Sequence, residues 1–132
     1  MVLVKCMLLL LLVGIAMCQS LPSSENPRKK ISIKTGSTLT LKVPGKTNIW
    51  FRTAGGVKQT LEECTPNLDR ICNKWRAGEI FKEYEVKSPV TFNPSTGSVV
   101  MPRVTRGDSG EYYTIYGDKG VAVYQYFDVA IN

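Results

Sequence analysis

From residue 31 onward this chain is written in short runs whose every second side chain is apolar, and each run is cut off by turn residues. Ile31 and Ile33 alternate with polar neighbours, Leu39, Leu41 and Val43 do so ahead of Pro44-Gly45, and Asn48 to Arg52 forms a third, aromatic run. Val90 to Phe92 and Ser98 to Val104 flank Asn93-Pro94-Ser95-Thr96-Gly97, while Glu111 to Tyr116 and Val121 to Ile131 flank Gly117-Asp118-Lys119-Gly120. A period of two sends alternate side chains to opposite faces of an extended strand, and Gly, Pro, Asn and Asp supply the reversals between strands. Seven or eight such strands in about 100 residues predict an all-β antiparallel sandwich or barrel.

The start of the chain reads differently. Cys6 to Met17 is a twelve-residue apolar run behind a single charge at Lys5. That is short of the roughly 20 residues needed to cross a bilayer. Ala16 and Cys18 are small residues at positions −3 and −1 of a cut before Gln19, as in secreted precursors. Residues 1–18 therefore read as a signal peptide, 19–29 as a flexible N-terminal segment, and 30–132 as one domain. No second apolar span or hydrophobic tail follows, so the expected product is secreted and extracellular, with no membrane span. Asn93-Pro94-Ser95 has the spacing of a glycosylation acceptor, but its central proline blocks it.

Histidine is absent. That excludes Ser-His-Asp and Cys-His catalysis and any histidine-bearing zinc site. Glu62, Glu63, Glu79, Glu83 and Glu85 supply carboxylates, but a filled sandwich of this size offers no cleft in which a pair could act, so neither an enzyme nor a cofactor is expected. Beyond the leader the cysteines are Cys64 and Cys72, and in an oxidising compartment a pair eight apart predicts one local disulfide. Between them, Thr65-Pro66 resembles a helix start, and Leu68, Ile71, Cys72 and Trp75 recur at i, i+3, i+4 and i+7. The expectation is a short stapled helix from Pro66 to Trp75, the alternative an irregular loop holding one buried tryptophan.

Asp108-Ser109-Gly110-Glu111-Tyr112 resembles the Asp-x-Gly-x-Tyr signature leading into strand F of immunoglobulin domains, with Val99, Met101 and Val104 ahead of it at strand E distances. Gly36 to Val43 is similar to the strand B opening, and Trp50 stands where strand C carries its core tryptophan. The resemblance implies an immunoglobulin-like sandwich, V-like or I-like, with Trp50, Asp108, Gly110 and Tyr112 as structural core and corner. It also implies that Tyr112 sends its hydroxyl to upstream backbone and that Asp108 is engaged by local backbone or by an arginine such as Arg103. Where the family places its inter-sheet disulfide this chain has Val43 and Thr114, so Trp50, Tyr112, Leu39, Leu41, Met101 and Phe127 must hold the core by packing.

If Tyr112, Thr114 and Trp50 point inward, alternation turns Ile49, Phe51, Tyr113, Ile115, Tyr124 and Tyr126 outward onto one face, the G-F-C face. Exposed aromatic patches mark interaction sites, and the resemblance implies pairing through this face. The competing expectation is that the segment around Trp75 covers it. Arg28, Lys29 and Lys30, with Lys34, form a basic cluster suited to a sulfated, acidic glycan or to an acidic membrane surface; secretion argues against nucleic acid. Arg106-Gly107-Asp108 spells an integrin-recognised tripeptide, but its aspartate is the corner residue. The sequence thus predicts a secreted, non-enzymatic recognition module that binds an extracellular or cell-surface protein, a second copy of itself included. The alternative is a small inhibitor or effector acting through the Cys64 to Cys72 loop.

Overall fold

The computed structural model describes residues 23–79 and 81–132; the signal peptide expected over 1–18 lies outside the described residues. Its strands are β1 (Ser23–Glu25), β2 (Lys29–Ile33), β3 (Leu39–Lys42), β4 (Ile49–Ala54), β5 (Val57–Glu62), β6 (Trp75–Ala77), β7 (Tyr84–Glu85), β8 (Thr91–Asn93), β9 (Ser98–Met101), β10 (Gly110–Asp118) and β11 (Val121–Ile131). One sheet runs β1-β11-β10-β4-β5-β6-β7, with β2 also on β11, and the other runs β3-β9-β8. Two sheets with this order form an immunoglobulin-like β-sandwich. No helix among the described residues is long and apolar enough to cross a membrane.

The alternation becomes the core. Leu39, Leu41, Val99 and Met101 from the small sheet meet Trp50, Tyr112 and Phe127 from the large one, all at most 3% exposed. Val43 and Thr114 are buried as well. A buried hydroxyl needs partners. Thr114 Oγ1 donates to the Ile49 carbonyl at 2.6 Å and meets Thr47 Oγ1 at 2.6 Å, tying β10 to β4 and the loop before it. Gly110 opens β10 pressed against β4, where an added Cβ would fall on the Thr53 carbonyl. Only glycine permits that approach.

The N-terminal edge and the insertion both differ from the sequence reading. Ser23–Glu25, placed in the flexible segment by the sequence, form β1, which pairs in parallel with Ala122 to Tyr124, while β2 pairs in parallel with Phe127 to Ile131. Residues 23–33 therefore cover the outer edge of β11. The helix expected from Pro66 to Trp75 does not form: one turn closes, with Leu68 N–H donating to Thr65, and the rest is irregular until Trp75 enters β6. Cys64 and Cys72 are bridged with their Cα atoms 4.9 Å apart, and Asn73 N–H donates to the Glu62 carbonyl at 2.7 Å, so the segment doubles back on itself as a loop.

Candidate functional site

Register decides which side chains share the outer face of the large sheet. Tyr113 lies opposite Phe51 on β4 and Tyr126 on β11, and Ile115 lies opposite Tyr124. The rings stack in sequence. Phe51 and Tyr113 centroids are 4.9 Å apart, Tyr113 and Tyr126 are also 4.9 Å apart, and the Arg28 guanidinium sits 4.6 Å above the Tyr126 ring. This ladder crosses β4, β10 and β11 at right angles to the strands, each ring offering part of its area to solvent, as do Ile49, Ile115 and Tyr124. Burial pushes the Tyr113 phenol up, and Tyr126, Glu111 and Tyr124 reinforce this, so the ring is neutral and an intact hydrogen-bond donor. Phe51, Tyr113, Tyr126, Glu111 and Lys58 border a shallow depression of about 410 Å3.

Each side of the face is fixed by charge. Glu111 and Asp128 stand directly across from one another, an arrangement that repels unless a cation intervenes. Arg28 supplies it, at 2.7 Å from Glu111 and 2.9 Å from Asp128. On the far side Arg76 shares the outer face with Thr60 and is buried by the stapled loop. It donates to the Ile71 carbonyl at 2.8 Å and to Glu62 at 2.7 Å, and its Nε lies 3.0 Å from Glu83 without hydrogen-bond alignment. Arg70 clamps Glu83 with two hydrogen bonds, which hold that carboxyl below its usual range despite partial burial. Lys74 does the same to Glu85. These carboxylates are thus compensated scaffolding, and the loop forms a wall beside β5.

Trp75 is not over the face. It is fully buried inside the sandwich, edge-on to Tyr112 at 5.8 Å, with the Arg52 guanidinium 4.4 Å above it. The corner beneath is a closed network. Tyr112 donates to the Asp108 carbonyl at 2.6 Å, and Arg52 donates to Gln59 at 2.7 Å, Tyr112 Oη at 2.9 Å and the Asp108 carboxylate at 3.1 Å. Ser88 and the Thr105 N–H complete the carboxylate's shell. Burial works to raise the Asp108 pKa, but Thr105, Ser88 and Arg52 outweigh it and hold the carboxyl below its ordinary value. Arg103, the partner proposed from the sequence, is exposed with φ +52° and takes no part in this network. In Arg106-Gly107-Asp108 the aspartate is 7% exposed with both carboxylate oxygens engaged, so it serves as the corner.

Of the basic cluster, Arg28 is spent on Glu111 and Asp128, and Lys29 lies over the Phe127 ring at 5.8 Å. Arg52 was the residue sequence reasoning missed, although it is two residues from Trp50 and alternation turns it inward. The Cys64–Cys72 bridge closes the loop that carries Arg70. Replacing both cysteines with serine is expected to lower stability by about 2 to 3 kcal/mol through loop entropy. A denaturant midpoint measured with and without the bridge tests this; identical midpoints would mean the loop is held by its ion pairs alone.

No family model matches the chain, and no curated protein does either. Solved structures do. The extracellular fragment of novel immune-type receptor 11 from Ictalurus punctatus, including its stalk region, is similar at 17% identity and TM-score 0.51, over 81% of this chain and 86% of that one. The CD2-binding domain of CD58 matches at 17% identity and TM-score 0.46; 79% of this chain is covered, and it spans only 53% of that structure. The second immunoglobulin domain of the mouse polymeric immunoglobulin receptor matches at 12% identity and TM-score 0.44, over 80% and 97% of the two chains. The fold is immunoglobulin-like.

Proposed function

We propose that this protein is a non-enzymatic immunoglobulin-like recognition module that binds an extracellular or cell-surface protein through the outer face of its large sheet. One observation carries the reading: three stacked rings cross three strands, and each keeps part of its area in solvent. Rings held by one another and by Arg28 lose little freedom on binding, which makes them good anchors. Ile49, Ile115 and Tyr124 widen the apolar area, and the charged flanks made by Arg28 and by the Arg70 loop give a partner polar groups to match. The local disulfide fits an oxidising, extracellular setting.

Phe51→Ala and Tyr124→Ala test the reading. Each is expected to weaken capture of a partner, identified by screening the parent protein against arrayed extracellular domains, by roughly 1 to 3 kcal/mol. Thermal midpoints should fall less than they would for a substitution in the sandwich core, because both side chains are only partly buried. Unchanged affinity in both variants would move the binding site to the Cys64 to Cys72 loop and the reading to the effector alternative.

A further inference from the structure

The end of the sandwich away from the β10–β11 hairpin carries a second surface, which meets the aromatic face at Lys58. Four reversals meet there. The β2–β3 turn is tied to the corner by Gly36 N–H donating to Val104 at 2.8 Å and Val104 N–H donating to Ser37 at 3.0 Å. The corner in turn enters β10 at Gly110, opposite Ala54 at the close of β4. The β4–β5 turn follows, closed by Ala54 opposite Val57. Since Thr60 lies opposite Arg76, β6 runs toward that same end, and the β6–β7 turn extends past it.

Exposed cations gather at this end: Lys34, Arg103, Arg106 and Lys82 on the turns, and Lys58 at the start of β5. Among the described residues none of the five has a carboxylate within 4.0 Å, and the one exposed acid on the four turns is Glu79. Asp108 is not available, being buried against Arg52. At the same end the large apolar side chains reach solvent: Phe81, at the β6–β7 turn, is 97% exposed, and Val57 is 41% exposed. An isolated exposed apolar residue needs no explanation. A phenylalanine wholly in water at the same end of the sandwich as five unpaired cations is a different case, because it combines the two attractions of an interfacial membrane contact: apolar insertion and charge toward acidic headgroups.

We propose that this end docks onto a membrane surface rich in anionic phospholipid. Phe81 inserts at the acyl boundary and the five cations lie against headgroup phosphates and carboxylates. The sheet then stands on the membrane and leaves the aromatic face free at the side. A sulfated glycan would use the cations but gives Phe81 nothing to do, and that separates the two occupants.

Purified protein expressed from the full coding sequence is sedimented with phosphatidylcholine vesicles, with and without phosphatidylserine. Binding is expected only to the anionic vesicles and should fade as salt rises. Substituting Lys34, Arg103 and Arg106 together with glutamine should weaken it roughly a hundredfold, at about one kcal/mol per cation near such a surface. Phe81→Ser should weaken it about tenfold, since the ring's transfer from water is lost. At 97% exposure that change leaves folding intact, so it decides the matter even if the triple variant unfolds. Equal binding to neutral vesicles, no binding, full binding by Phe81→Ser, or capture on heparin without vesicle binding would each overturn the proposal.

Discussion

Asp108→Ala is expected to lower the stability of the folded domain by about 3 to 5 kcal/mol, more than any surface substitution in the molecule. The Arg52 side chain is 1% exposed and has a single carboxylate partner, 3.1 Å away. Gln59 and the Tyr112 hydroxyl still accept from the guanidinium when that carboxylate is gone, but neither carries charge. The cost is an uncompensated cation beneath Trp75, with Ser88 and the Thr105 N–H also losing their acceptor. Asp108→Asn keeps the shape and one oxygen and should cost less, about 1 to 3 kcal/mol. Denaturant midpoints for the two variants, read against the parent, test the ordering; equal midpoints for all three would mean the pair contributes no net stability. The same contact sets an acid response. Because the folded carboxyl titrates below its ordinary value, its contribution is fully present above that value and is lost as pH falls through the folded pKa. The parent should therefore lose stability over that acidic window more steeply than Asp108→Asn.

The sandwich was legible because its signals are local. Alternation in Leu39 to Val43, Ser98 to Met101 and Tyr112 to Tyr116 requires no knowledge of partners, and it became burial in each case. The outer ladder was legible for the same reason: once Tyr112 points in, Tyr113 points out. What failed was anything set by a partner distant in sequence. Ser23–Glu25 has neither alternation nor β-branched residues and is exposed throughout; it is a strand only because β11 presents an edge to it. Arg28 looked like the head of a basic cluster, yet its place is dictated by Glu111 and Asp128, more than 80 positions away. Asp108 is held by local backbone at Thr105 and by an arginine, as the resemblance implies, but the arginine is Arg52, 56 positions away, and not Arg103. The helix was a different kind of miss. Its apolar spacing was real, but Trp75 spends its side chain in the sandwich core as part of β6, paired with Leu61, and not on a helix face.

Trp75→Ala is expected to cost about 3 to 5 kcal/mol, as for large aromatic residues removed from a filled core. Trp75 has no solvent exposure, although it lies on a strand of three residues near the edge of the large sheet. Its ring is enclosed by Tyr112 edge-on and by the Arg52 guanidinium, so its removal opens a cavity beside a buried charge and strips that charge of a cation–π partner. Water entering such a cavity would reach Arg52 and weaken its hold on Asp108. The loss should therefore be sub-additive with Asp108→Ala, and a double-mutant cycle reads that coupling directly. Trp75→Phe separates the two causes. The indole N–H has no hydrogen-bond partner, so phenylalanine sacrifices no polar contact; it keeps an aromatic face for Arg52 and loses only volume. Its cost should be well under that of alanine. If Trp75→Ala proves as mild as Trp75→Phe, the stapled segment closes over the gap, and the tryptophan is a filler instead of the post on which β6 is set.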